Sequence, residues 1–270
     1  MRIDLHIHSN ASDGSLAPAA VVNAARTGRL HIIALADHDT IGGVREAQAA
    51  ATGSVHVIPA LEISTFNDRS ELHMLGYFID LLNPTLIGFG ERASGRREER
   101  MRDMIELLGR LGVHVAYADV VAAAGPRHES IGRPHLARVL VQRGHVPNMG
   151  EAFDRYIGDE GPAFVPTRLI TPSDAIDLIH QAGGVAVWAH PRHDVLEPML
   201  PRLREAGLDG VECYRPRLSI TDTDRIAAAA AAHGLFVTGG SDWHGEWHGP
   251  LGDFALERDD VADFLEIGGI

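Results

Sequence analysis

The strongest constraint on the fold is a recurrence. Short runs rich in Val, Ile and Leu each lead into a cluster of polar residues. They read IDLHIH (3–8), HIIALADHD (31–39), VHVIPALEIS (55–64), LHMLGYF (72–78), VAVWAHP (185–191), DGVECY (209–214) and LFVTGGSDWH (235–244). Such runs suit strands buried on both faces of a parallel sheet. Helical patterns separate many of them. Residues 16–28 carry Pro18 near the start and Gly28 at the end, the expected asymmetry of a helix. Residues 171–184 open on an N-cap and stop at glycines, and the alanine-rich 219–234 ends at Gly234. Strands alternating with helices predict an α/β fold with a parallel sheet, and seven strands predict a barrel, not necessarily complete.

Residues 84 to about 165 break this rhythm. One long charged helix is expected over 90–112, with further helices over 131–144 and 149–158, and no strand between Asp80 and Phe164. The expected organisation is a barrel made of 1–83 and 165–270, with a helical insert, 84–164, between the fourth and fifth strands.

Chemistry enters at the strand ends. Ile3, Leu5 and Ile7 alternate with Asp4, His6 and His8, so His6 and His8 are expected on one strand face and Leu5 and Ile7 on the other. Two imidazoles on one face can share a cation, with Asp13 just beyond. Alone, the pair would equally suit a solvated strand end. The remaining runs repeat the pattern, with Asp37, His38 and Asp39 after the second, Glu62 ending the third, His73 in the fourth, His190 after the fifth, Glu212 and Tyr214 in the sixth, and Asp242 and His244 after the seventh. Barrel enzymes build their active sites where the strands open.

The candidate donors are His6, His8, Asp13, His38, Glu62, His73, His190, Asp242 and His244. The 16 histidines stand against 24 basic residues, all of them arginine, and metal ligation is the first reason to test for that excess. Imidazole and carboxylate without thiolate suit Mn, Zn or Fe. Nine donors exceed what one cation with an open position can use, so two or three divalent cations are expected. Three carboxylates do not balance that charge. A hydroxide and a phosphate would, and this points to a phosphate ester as substrate. The net charge of −13 argues against broad binding to nucleic acid, and not against a small phosphorylated substrate. One cysteine, Cys213, rules out an internal disulfide. With no basic-then-apolar N-terminal stretch and no long apolar run, the expected location is the cytoplasm, with no membrane partner.

These motifs together, His6-x-His8, Asp13, ADHD around His38, Glu62, His73, AHP at His190 and SDWH at Asp242 and His244, resemble the PHP family, named for polymerase and histidinol phosphatase. The insert segments IGRPHLARVLVQRGHV and AFDRYIGDEGPAFVP resemble its bacterial nucleotide-directed phosphoesterases. The resemblance implies a distorted seven-stranded (β/α) TIM-like barrel with a three-metal site. It implies that His6, His8, Glu62 and Asp242 hold one metal. Glu62 would bridge to a second with His73 and His190, and Asp13, His38 and His244 would hold the third.

The implied reaction is attack on phosphorus by a hydroxide bridging two cations, whose charge lowers the pKa of water. Asp37 and Asp39 are read as partners orienting ligand imidazoles, with an N-cap role for Asp39 as the alternative. The resemblance places a phosphate-binding arginine at Arg133. A second basic residue after the HP motif is either Arg192 or His193, where many relatives have glycine directly after HP. His128 is a candidate for the same mouth. Trp188 reads as core, and Trp243 and Trp247 as base-stacking or wall residues. The expected activity is hydrolysis of nucleotide phosphate monoesters, 3′,5′-bisphosphate nucleotides or 5′-AMP. The alternatives are a 5′-to-3′ exonuclease on short 5′-phosphorylated oligonucleotides, a histidinol or cyclic-phosphate phosphoesterase, and a non-catalytic metal-binding scaffold. An amidohydrolase also begins with His-x-His, but it usually needs a bridging lysine, and this chain has none.

Overall fold

The computed structural model describes residues 1–53, 55–67 and 70–270. All seven expected strands form: β1 (Ile3–Ile7), β2 (Ile32–Leu35), β3 (His56–Phe66), β4 (Glu71–Tyr77), β5 (Val185–Trp188), β6 (Gly210–Tyr214) and β7 (Phe236–Gly239). They lie side by side in sequence order in one sheet. The ring almost closes beyond β7, where Trp243 bridges Ile7 and its carbonyl accepts from the His8 N–H at 2.9 Å.

Ten α-helices complete the described chain: α1 (Pro18–Thr27), α2 (Val44–Ala50), α3 (Pro84–Arg110), α4 (Tyr117–Ala124), α5 (Arg133–Gln142), α6 (Met149–Ala152), α7 (Pro172–Gln181), α8 (His193–Glu205), α9 (Ile220–Ala232) and α10 (Ala262–Ile267). Their starts follow local chemistry. The Asn83 side chain accepts from the Thr85 and Leu86 N–H groups before Pro84 at the first turn of α3. Thr171 caps α7 and Ser219 caps α9 in the same way. Each such cap contributes about 1 kcal/mol. Gly28 ends α1 for a different reason than a left-handed turn. Its φ is −74°, and a Cβ there would lie 2.0 Å from the Leu251 carbonyl oxygen.

The sheet is not wholly parallel, as the strand–helix rhythm predicted. β1–β2–β3 and β5–β6–β7 pair parallel, but β4 runs antiparallel to both neighbours. The cause is the short link from Phe66 to Glu71, which cannot hold the crossover a parallel partner requires. β3 also continues past Glu62 to Phe66, forming an arm with β4.

A second correction concerns β1. Its register against β2 shifts between Asp4 and Ile7. Ile3 and Leu5 pack inside the barrel with Ile58, Ala60, Leu75 and Tyr77, above a plug made by Phe264 and Leu265 of α10. Ile7 packs outside it, with Val21, Val22 and Leu35. Leu5 and Ile7 therefore do not share a face. The bulge re-aims the strand halfway along.

Among the described residues there is no strand between β4 and β5. Residues from Met101 to Ala163 form a hydrophobic cluster of their own. The start of α3, with Leu86, Phe89 and Ala93, packs instead on the barrel's outer core beside α7. The junction between the two cores thus runs through the middle of α3. Among the described residues, no helix is long and apolar enough to cross a membrane.

Candidate metal centre and active site

The nine candidate donors converge on Glu62, which is fully buried on β3. Its Oε2 lies 3.0 Å from His38 Nδ1 and 3.4 Å from both His6 Nε2 and His8 Nε2. Its Oε1 lies 2.8 Å from His73 Nδ1 and 2.9 Å from His190 Nε2. One carboxylate therefore touches five imidazoles from four segments, since His6 and His8 both belong to β1 and its end.

Asp242 Oδ1 lies 3.1 Å from His8 Nε2 and 3.4 Å from His6 Nε2. Asp13 faces His244 Nε2 at 3.3 Å and His38 Nε2 at 3.7 Å. Three groups have donor atoms close enough to share an ion: His6, His8, Glu62 and Asp242; His8, Asp13, His38 and His244; and His38, Glu62 and His73. His190 joins through Glu62.

The backbone is shaped for this convergence. His190 and Asp242 have φ of 29° and 51°, in the region non-glycine residues rarely enter. Gly240 lets the end of β7 pass against β1, since a Cβ there would sit 2.3 Å from the His6 Cβ. His73 reaches the cluster because β4 is antiparallel. It stands near the start of its strand, and only reversal brings that end to the rim where Glu62 lies.

The donor set fits divalent cations. His6 Nε2, both nitrogens of His8, His38 Nδ1 and Glu62 Oε2 are buried without a hydrogen-bond partner. Buried polar atoms are normally satisfied, and this many orphans around one point call for a ligand. Burial would raise the carboxylates, yet the surrounding imidazoles hold Glu62, Asp13 and Asp242 well below the usual range. Burial would lower His244, but Asp13 and Asp242 lift it to about 9. His8 goes the other way, to about 3, because burial is reinforced by His244, stacked 4.0 Å away, and by His38. It is thus a neutral donor throughout the physiological range, as metal ligation requires.

Glu212 was visible on the sixth strand without a specific role. Its Oε1 holds His6 Nδ1 at 2.9 Å, and its Oε2 accepts from the His190 N–H at 2.8 Å. That leaves His6 Nε2 facing the cluster. Asp37 and Asp39 do not hold imidazoles. Asp37 accepts from Ser9 and Ser12, tying down the loop before Asp13. Asp39 accepts from the Ser64 N–H at 2.7 Å and from Arg97 at 2.6 Å. The N-cap position of α2 belongs to Gly43, not Asp39.

A cavity of about 260 Å³ lies over the cluster, and its outer wall carries Arg97, Arg100 and Arg133 from α3 and α5. Arg133 is not an exposed helix residue. It opens α5 and reaches Asp159 at 2.7 Å and Glu71 at 3.4 Å. Burial would raise Glu71, but Arg100 and Arg133 hold it down at about 2. Arg97 and Arg100 escaped notice in the sequence because they sit in a run of charges that reads as a solvated helix face.

Arg192 pairs with Asp194 and lines an adjoining cavity of about 180 Å³ with His73, Arg133 and His190. His193 turns toward Asp222 at 3.6 Å instead. His128 lines a separate cavity between α3 and the loop after β2. Trp188 is core. Trp243 is wall, its indole N–H donating to the Gly249 carbonyl. Trp247 is half-exposed beneath the Arg138 guanidinium.

No protein-family model matches the chain. It is 34% identical over 251 residues to the 5′-3′ exoribonuclease Rnm of Escherichia coli, covering 89% of this chain and 84% of that protein. It is 35% identical over 253 residues to the 3′,5′-nucleoside bisphosphate phosphatase of Chromobacterium violaceum, covering 92% and 88%. Among solved structures, one described as an amidohydrolase from Chromobacterium violaceum, with bound sulfate and no metal, superposes with a TM-score of 0.88 at 32% identity, covering 95% of this chain and 92% of that one. A structure from Bifidobacterium adolescentis described as a metal-dependent phosphoesterase gives 0.87 at 32% identity, covering 97% and 95%.

Proposed function

This chain belongs to the PHP family of metal-dependent phosphoesterases, and from that premise we propose that it hydrolyses the 3′ phosphate of nucleoside 3′,5′-bisphosphates. One observation carries the reading: nine buried or half-buried donors gather around Glu62 beneath a wall of guanidiniums, beside a cavity of about 260 Å³.

His6, His8, Glu62 and Asp242 would hold one cation. Glu62, His73 and His190 would hold a second, and Asp13, His38 and His244 a third. The ligand chemistry suits Mn, Zn or Fe. When bound, such cations acidify water and offset the charge of the phosphoryl group. The chain's own residues do the rest. Glu62 and Asp242 supply the negative charge that keeps the cluster assembled. Glu212 fixes the ring of His6. Arg133 offers its fork to phosphate oxygens, exchanging the exposed Asp159 for substrate. Arg192, lining the adjoining cavity with Arg133, is the better placed of the two basic residues after His190. Residues 84–164 act as a cap that limits water over the site, with Arg97 as its pin to the barrel.

A second reading, a 5′-to-3′ exonuclease on short 5′-phosphorylated oligonucleotides, is favoured by the similarity to Rnm. The test is phosphate release by Mn-loaded protein from adenosine 3′,5′-bisphosphate, with 5′-AMP and a 5′-phosphorylated trinucleotide beside it. Turnover of the bisphosphate that stops at 5′-AMP is the expected result. Release of mononucleotides from the trinucleotide alone would move the assignment to the second reading.

A further inference from the structure

The metal cluster also borders a larger cavity, of about 640 Å³, that the reaction above leaves unused. It shares His190 and Asp242 with the centre. Its volume lies in the range of small-molecule sites, roughly 300–1,000 Å³. The cavity over the metals is less than half as large.

Its walls have two characters. One is apolar, with Pro216, Pro250 and Phe254. The other is polar, with Arg215 and Arg217 in the turn after β6, beside His248 and the carboxylates of Asp242 and Asp253. Arg215 is anchored by donating to the Pro191 carbonyl at 3.2 Å, in the turn that follows His190. Its Nε is buried without a partner. Arg217 adopts a left-handed backbone, φ 64°, in the same turn. Among the described residues, no carboxylate forms an ion pair with either arginine. In a chain of net charge −13, two unpaired guanidiniums beside the reaction centre form a local site for an anion.

We propose that this cavity binds the part of the substrate that is not cleaved. The nucleoside lies against the apolar wall, and its second phosphate is held by Arg215 and Arg217. The proposal rests on the nucleotide phosphoesterase reading and deepens it. It makes the turn after β6 the element that selects substrates phosphorylated on both sides of the ribose.

The test compares kcat/KM for adenosine 3′,5′-bisphosphate and for 3′-AMP, which share the scissile ester and differ in the second phosphate. The proteins are Mn-loaded wild type and the double variant R215Q/R217Q. Charge-assisted hydrogen bonds of this kind predict that the bisphosphate-to-3′-AMP ratio falls by about 10²-fold in the variant. An unchanged ratio overturns the proposal, as does an equal loss on both substrates. If the double variant fails to fold, R217Q alone, at an exposed position, carries the same comparison with about a tenfold change.

Calorimetric titration with 5′-AMP separates the two layers of the argument. If wild type turns over neither nucleotide, the functional reading fails. The cavity is then decided by binding alone, where weakening of at least about tenfold in the variant upholds it, and unchanged or absent binding overturns it.

Discussion

The barrel donors stand on or beside strands and lie buried or half-buried, whereas the guanidiniums of residues 84–164 stand on helices and lean on acids. Glu62, His6 and His8 are fully buried, and their geometry is set by backbone pairing on both sides. Arg133 instead rests on Glu71 and on the exposed Asp159. The strands hold imidazoles and carboxylates within 2.8–3.8 Å of one another. Between the strands and these helices stands Arg97, buried on α3, bonded to Asp39, Ser64 and the Ile131 carbonyl.

The sharpest break in this comparison is Glu62→Gln. It removes the charge that five imidazoles share, so turnover should fall by at least about 10³-fold, with bound metal lost in elemental analysis. Substantial residual activity with full metal content would show that the cluster does not depend on its central carboxylate. Next comes Arg97→Gln, which strands Asp39 as a buried charge. Urea unfolding should show a loss of about 3–5 kcal/mol. The exposed pair Arg102–Glu98 on the same helix provides the contrast, and Arg102→Gln should cost less than about 1 kcal/mol. Equal losses would mean that Arg97 is no pin.

The cap carries its own pH dependence. His135 on α5 is buried, its Nδ1 accepting from the Gly132 N–H, and burial lowers its imidazole to about 4. The unfolded chain keeps the ordinary value near 6.5, so it binds the proton first as pH falls. The stability this group contributes is whole above pH 6.5, is lost between 6.5 and about 4, and amounts to about 3 kcal/mol. Urea midpoints measured in chelator should show that slope in wild type and a shallower one in His135→Asn. A more modest effect belongs to Glu212→Gln, which weakens the hold on His6 and should reduce metal affinity by about 10–100-fold. Rescue of activity by excess Mn would mark a positioning role, and loss without rescue would mark a structural one.

Much of the site could be read before any tertiary contact was known. Each of the nine donors lies in a short motif in or just after an apolar run, so strand ends brought all but His73 together. The cap arginines could not be read so easily. Arg97 and Arg100 lie among Arg92, Arg96, Glu98, Glu99 and Arg102, and which of these turns inward depends on where α3 docks. Glu212 was in view, but its partners come from strands far away in sequence.

By itself the sequence determined the strand count, the interruption by helices and which histidines and carboxylates gather in one cluster, because these follow from local periodicity and residue chemistry. The tertiary structure alone decided two things that place those side chains. LHMLGYF alternates identically in either direction, so only pairing with β3 reverses β4 and carries His73 to the rim. IDLHI likewise shows an unbroken period of two, and only the register against β2 inserts the bulge that leaves Leu5 and His6 both turned into the barrel. Periodicity reports which residues share a face of a strand, whereas direction and register are properties of the pair of strands.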